Sequence, residues 1–176
     1  MGHGSRESCH QFRQIELPEF EVETVACGLS HSGLVTSAGD VYTWGLTGNL
    51  QGLKDKLMDH FLVKTPKKVS FKHLFEREPG STRRKSQAES GPSEVAQAFP
   101  PVIKDLHLGE YFSLALSKRG YVYSWGSNDK GQLGTLPDQL FSVEPVAVTS
   151  SKNTLSKAVS QIACGMKHSL ALTKDN

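Results

Sequence analysis

The chain has 176 residues, with 20 Lys+Arg against 18 Asp+Glu, a net charge of +2 at neutral pH and 37% hydrophobic residues. That balance suits a folded domain and is too even for a dedicated nucleic-acid module, which carries a strongly basic face. No apolar run approaches a membrane span, the N-terminus lacks the apolar stretch of a secretory signal, and Arg6 stands where a myristoylation motif needs Ser or Thr. Three cysteines are an odd count that does not suggest a disulfide framework, so we expect an intracellular protein, nuclear or cytoplasmic, with no membrane association.

In chain order, residues 1–12 are polar, hold Cys9 and read as a disordered N-terminus. Ile15-Glu16-Leu17 and Val22 to Cys27 read as short strands, the second ending at Gly28. After His31-Ser32, the runs Leu34-Val35-Thr36 and Val41-Tyr42-Thr43-Trp44-Gly45 flank a turn at Ala38-Gly39. Short apolar runs separated by turn residues predict strands in place of helices. Lys68-Val69 and Val102 to Leu108 supply the next two strands, followed by Gly109 and Phe112-Ser113. Leu114 to Ser117 and Val122-Tyr123-Ser124-Trp125-Gly126 then flank Arg119-Gly120, and Gly131-Gln132-Leu133-Gly134 comes after. Val146-Ala147-Val148, Val159 to Cys164, Gly165 and His168-Ser169 begin the pattern a third time, and Asn176 stands at the turn.

These are copies of one unit. From the leading glycines 28, 109 and 165, a serine follows four residues later and a turn residue eleven later, as Gly39, Gly120 and Asn176. The turn position requires positive φ, which glycine adopts freely and asparagine better than most. Fixed offsets in units of about 50 residues indicate a repeat architecture, and four antiparallel strands repeated radially make a β-propeller blade. The expected fold is therefore all-β, an incomplete propeller of about three blades with one long polar insertion. We place the first blade at 13–45, the second at 46–126 with an inserted loop over about 70–101, and the third, lacking its last strand, at 127–176. Trp44 and Trp125 are expected to lie between neighbouring blades. The insertion is legible in the spacing: Gly28 to Gly109 is 81 residues, Gly109 to Gly165 only 56.

The unit resembles the repeat of the regulator of chromosome condensation family: A-C-G at Ala26-Cys27-Gly28 and Ala163-Cys164-Gly165, H-S, a glycine turn, V-Y-x-W-G, then G-Q-L-G. The likeness spans most of residues 13–69 and 102–176. The first copy departs from it after its tryptophan, where Leu46 to Gly52 lacks a clear G-Q-L-G, and Phe112 replaces the histidine of the second copy. The resemblance implies a seven-bladed ring, which needs roughly twice this chain, the remaining blades coming from a longer chain or from self-association.

Cys27 with His31 and Cys164 with His168 form two C-x3-H pairs with zinc-like chemistry, but the repeat would set them in different blades. We read the cysteines as small apolar side chains and the histidines as structural, because no nucleophile and orienting carboxylate stand at a related spacing. Gly45-Leu46-Thr47-Gly48 follows a strand without opening a helix or supplying the lysine of a phosphate loop. No cofactor, metal or catalytic residue is expected.

Inside the insertion, Arg83-Arg84-Lys85-Ser86 has three readings: a solvated loop, a site for a basophilic kinase at Ser86, or a basic contact through Arg83, Arg84 and Lys85 for phosphates or an acidic partner. For function we expect a non-catalytic protein-interaction module that binds a protein partner through its rim loops. Similar proteins include the nuclear exchange factor for the small GTPase Ran, which also binds chromatin. The alternatives the resemblance implies are thus guanine-nucleotide exchange on a Ran-like GTPase and chromatin binding.

Overall fold

The computed structural model describes residues 2–5, 10–46, 62–74, 100–135, 139–148 and 158–175. Within them the chain forms strands β1 (Val22–Cys27), β2 (His31–Thr36), β3 (Val41–Leu46), β4 (Leu62–Lys68), β5 (Ile103–Leu108), β6 (Phe112–Ser117), β7 (Val122–Ser127), β8 (Phe141–Ala147), β9 (Val159–Cys164) and β10 (Ser169–Thr173). The described helical structure is one 3-10 turn, Lys72–Leu74. Sheet order is β1-β2-β3-β4, then β5-β6-β7-β8, then the pair β9-β10, with every pairing antiparallel. The chain is all-β, with propeller-like blades as expected.

The sheets are cut one strand later than the sequence grouping. Lys68 and Val146-Ala147 were expected to open the second and third units. They belong instead to β4 and β8, the outer partners of β3 and β7, with Tyr42 paired to Lys68 and Tyr123 to Ala147. The physical reason is adjacency: the chain leaving a hairpin returns along its free edge before crossing to the next sheet. Ile15-Glu16-Leu17, expected as a strand, pairs with none of the described strands.

The hairpin glycines adopt the conformation that their position requires. Gly39 and Gly120 have φ of 85° and 90°, and their N–H groups donate to Thr36 O and Ser117 O. Each also meets the following sheet: Ile103 N–H donates to Gly39 O at 3.1 Å and Val159 N–H to Gly120 O at 3.0 Å. Asn176, the expected third turn residue, lies outside the described residues.

The core sits between sheets. Val35 and Val41 of the first sheet pack with Ile103, Leu106, Leu108, Ala115 and Trp125 of the second, and Phe71 from the connecting segment closes this cluster. Phe112, Leu114, Leu116, Val122 and Leu133 of the second sheet's segment pack with Val159 and Ile162 of the third. Burying one such side chain contributes about 1.5–3 kcal/mol, so stability resides largely where sheets stack. Trp125 takes its place between two sheets, whereas Trp44 lies beneath the N-terminal segment. A Cβ on Gly2 would come within 3.0 Å of Trp44 Nε1 and 2.8 Å of Ile15 Cδ1. Residues 2–5 are not the disordered tail expected from their polarity: Gly2 and Gly4 N–H both donate to Lys64 O, at 3.1 and 3.2 Å. Glycine lets the backbone approach Ile15 and the Trp44 ring nitrogen this closely.

Candidate interaction surface

The turns between inner strands and their neighbours, at 28–30, 109–111 and 165–168, emerge on one side of the sheets. Each begins with a glycine over which an aromatic ring lies. A Cβ on Gly109 would sit 2.0 Å from the Phe112 ring, on Gly165 2.2 Å from the His168 ring, and on Gly28 2.9 Å from the His31 ring. The histidine-to-phenylalanine change between copies thus keeps a flat ring on a bare Cα. At Gly28 the neighbouring backbone crowds in too, with Gly109 O 2.5 Å from the missing Cβ.

His31 is buried, and its Nε2 is hydrogen-bonded to Ser113 Oγ at 3.2 Å, across the boundary between the first two sheets. Its Nδ1 is buried without a partner among the described residues. Burial pushes its pKa down to about 4, against a smaller upward pull from the Phe112 backbone, so the ring is neutral at pH 7. Phe112 makes no such bond from the second copy. There Ser169 Oγ donates to Gln132 O, which ties the third sheet to the loop after β7.

One residue beyond each leading glycine, Leu29, Glu110 and Met166 form a row. Leu29 N–H donates to Gly109 O at 3.2 Å and Glu110 N–H to Met166 O at 3.1 Å, so hydrogen bonds between sheets fix their spacing. Leu29 and Met166 are exposed, and Glu110 pairs with Lys167 at 3.5 Å. Two apolar side chains flanking an ion pair on rigid turns are suited to bind another protein.

Beside this row stands the G-Q-L-G loop. Asn128 is buried and supports it from within: Nδ2 donates to Gln139 O and Thr135 Oγ1, while Oδ1 accepts Leu133 N–H at 2.9 Å. Asp129 Oδ1 accepts from Ser127 Oγ and Gln132 Nε2. These bonds, that from Gln132 foremost, hold its carboxyl below the usual range. Gly131 and Gly134 supply positive φ of 75° and 65°. Gly45 and Gly126 do so at the strand ends, at 99° and 104°, with Ser30 O and Tyr111 O 2.6 and 2.3 Å from where a Cβ would stand.

Cys27 is exposed. Cys164 is partly buried, its thiol pushed up to about 12 by desolvation, which disfavours the thiolate a metal would need. Among the described residues no three His, Cys, Asp or Glu side chains gather as a metal set. Arg83, Arg84, Lys85, Ser86 and Cys9 lie outside the described residues. The segment leading toward the insertion is anchored: His73 Nε2–H donates to Pro145 O at 2.6 Å, with Glu144 3.5 Å from its other ring nitrogen. Sequence reasoning missed Leu29, Glu110, Met166 and Lys167. The available signal was variation in place: the residue after each repeated glycine is different in every copy.

The Regulator of chromosome condensation (RCC1) repeat matches residues 119–172, and a second form of it matches 103–132. The RCC1 domain-containing protein RUG3, mitochondrial, of Arabidopsis thaliana is 29% identical over 89% of this chain and 41% of its own length. The human E3 ubiquitin-protein ligase HERC2 is 32% identical over 99% of this chain and 3% of its own. Two solved structures share the fold. Human WBSCR16 has a TM-score of 0.63 at 20% identity, with 95% of this chain and 34% of that one covered. Prp20p from Saccharomyces cerevisiae has a TM-score of 0.61 at 19% identity, with 90% and 33% covered. The chain spans less than half the length of each of these proteins. The two repeat matches, which together run from residue 103 to 172, place the chain in the regulator of chromosome condensation repeat family.

Proposed function

We propose that the chain is a non-catalytic protein-interaction module whose partner lies against Leu29, Glu110, Met166 and the loop at 128–135. The observation that carries this reading is the row itself: exposed Leu29 and Met166 on either side of the Glu110–Lys167 ion pair, locked at fixed spacing by hydrogen bonds between sheets. Exposed apolar groups on a rigid scaffold cost solubility and are retained where a partner covers them. We assign the module to the nucleus or cytoplasm; because RUG3 is mitochondrial by name, fractionation of cells is the check on that address.

Prp20p is described by its binding to Gsp1p and histones, which makes a Gsp1p-type GTPase and core histones the first partners to test. The experiment immobilises each and measures binding of the chain and of a Leu29→Asp/Met166→Asp variant, together with release of labelled nucleotide from the GTPase. Saturable binding to one of them, lost in the variant and without faster nucleotide release, is the expected result. Faster release would favour the exchange alternative, and steep weakening with salt on histones the chromatin alternative. Binding unchanged in the variant would remove this face from the reading.

A further inference from the structure

The outer strands β4 and β8 carry the same bulge. Thr43 pairs with Lys67 and Gly45 with Val63, so Lys64, Thr65 and Pro66 stand opposite Trp44 alone. In the second sheet Ser124 pairs with Val146 and Gly126 with Ser142, which sets Val143, Glu144 and Pro145 opposite Trp125. A bulge takes its extra residues out of the ladder and frees their backbone groups for other partners. At β4 that freedom is used: Lys64 O accepts both Gly2 and Gly4 N–H, at 3.1 and 3.2 Å, from a separate stretch of backbone at the sheet's edge.

The side chains of the two edges differ. β4 bears Lys64, Lys67 and Lys68, all exposed, and the matching places in β8 are Val143, Val146 and Ala147. Lysines along an outer strand keep foreign strands from pairing with it. β8 has none. Val143 is 73% exposed and Leu140, just ahead of the strand, 68%. The stacking of sheets does not decide this exposure, because Lys64 is exposed at the same place although a four-stranded sheet packs against its own. Beyond Val143, Pro145 O is taken by His73, and the Glu144 side chain, 64% exposed, gives the edge a negative charge.

We propose that the edge of β8 from Leu140 to Glu144 takes an extended segment of another protein by strand addition. Main-chain N–H of that segment bonds Val143 O, as Gly2 and Gly4 bond Lys64 O. The segment is apolar and β-branched where it meets Leu140 and Val143 and basic beside Glu144. Charge favours a different chain over a second copy, since β8 itself carries Glu144 and no cation.

The test selects peptides from a phage-displayed random library on the immobilised whole chain, counter-selected on Val143→Lys and on Val143→Lys/Val146→Lys. Both variants copy the residues that β4 holds in the same bulge, so both should fold, and circular dichroism checks it. Enriched peptides are expected to alternate apolar residues beside a lysine or arginine and to bind both variants about tenfold more weakly, or worse. N-methylation of the one amide that faces Val143 O should weaken them to a similar degree, which a purely side-chain contact would not require. Peptides that bind the variants as well as the native chain, or that tolerate N-methylation at every position, would overturn the proposal. Failure to enrich any such peptide would overturn it too. Self-association of the native chain that Val143→Lys abolishes would assign the edge to a second copy and overturn the choice of a different chain.

Discussion

His31 of the first sheet and Ser113 of the second are hydrogen-bonded at 3.2 Å across the boundary between them, in a site that keeps the imidazole neutral. Ser113 is itself buried, so this side-chain bond joins the Leu29–Gly109 and Ile103–Gly39 backbone bonds in tying the two sheets together. Replacing Ser113 by Ala leaves His31 Nε2 unpaired as well as Nδ1. We expect a loss of about 1–3 kcal/mol in urea unfolding, against a few tenths for Ser32→Ala at the equivalent, only partly buried serine.

The same ring makes stability depend on pH. A histidine that is neutral when folded and has an unfolded pKa of 6.5 contributes no penalty above that value. Between 6.5 and about 4 the unfolded chain binds a proton that the fold refuses. Stability should then fall by up to about 1.4 kcal/mol per pH unit and level off below about 4. His31→Phe copies the residue of the second repeat and should flatten the urea midpoint over this window. A slope unchanged by that substitution would mean that the ring titrates as in water.

Phe71 comes from a connecting segment yet belongs to the core, edge-on to Tyr123 at 5.5 Å and to Trp125 at 6.3 Å. Phe71→Ala should cost about 3–5 kcal/mol. Phe20 covers Tyr42 from a half-exposed position, and its removal should cost about 1 kcal/mol. Thermal or urea unfolding of both variants checks the ranking, and equal losses would contradict it.

Two glycines with similar φ should respond differently to alanine. Gly131 has no atom within 4 Å of a new Cβ, so only the left-handed conformation is penalised, about 1 kcal/mol. At Gly126 the Cβ would be driven to 2.3 Å from Tyr111 O, a backbone atom held by the Ser127 N–H bond. We expect a loss there of about 3 kcal/mol or more, read as a shift in the urea midpoint.

Asn128 is the support of the G-Q-L-G loop through three hydrogen bonds from one buried amide. Asn128→Ala should destabilise by about 2–3 kcal/mol and speed amide exchange at Leu133, whose N–H loses its acceptor. Slow exchange at Leu133 in that variant would show that the loop stands without it.

Much of this fold could be read from local chemistry. Gly39 and Gly120 announced their turns because only a residue tolerant of positive φ fits there, and short apolar runs between such turns announced the strands. The repeat spacing also exposed the insertion. What a periodic sequence cannot state is its own phase. Lys68 could precede the second hairpin or follow the first, and the choice rests on which strand edge is free when the chain returns. Nor could it show that Gly28, Gly109 and Gly165 are glycine because a ring three residues later lies on each Cα, since that contact depends on side-chain packing. Local sequence determined turns, strands and the repeat, each governed by the backbone preferences of a few neighbouring residues. Tertiary structure alone decided that Val22 and Val25 are exposed while Ile103 and Leu106, at the same repeat places, are buried, because burial depends on which sheet stacks alongside.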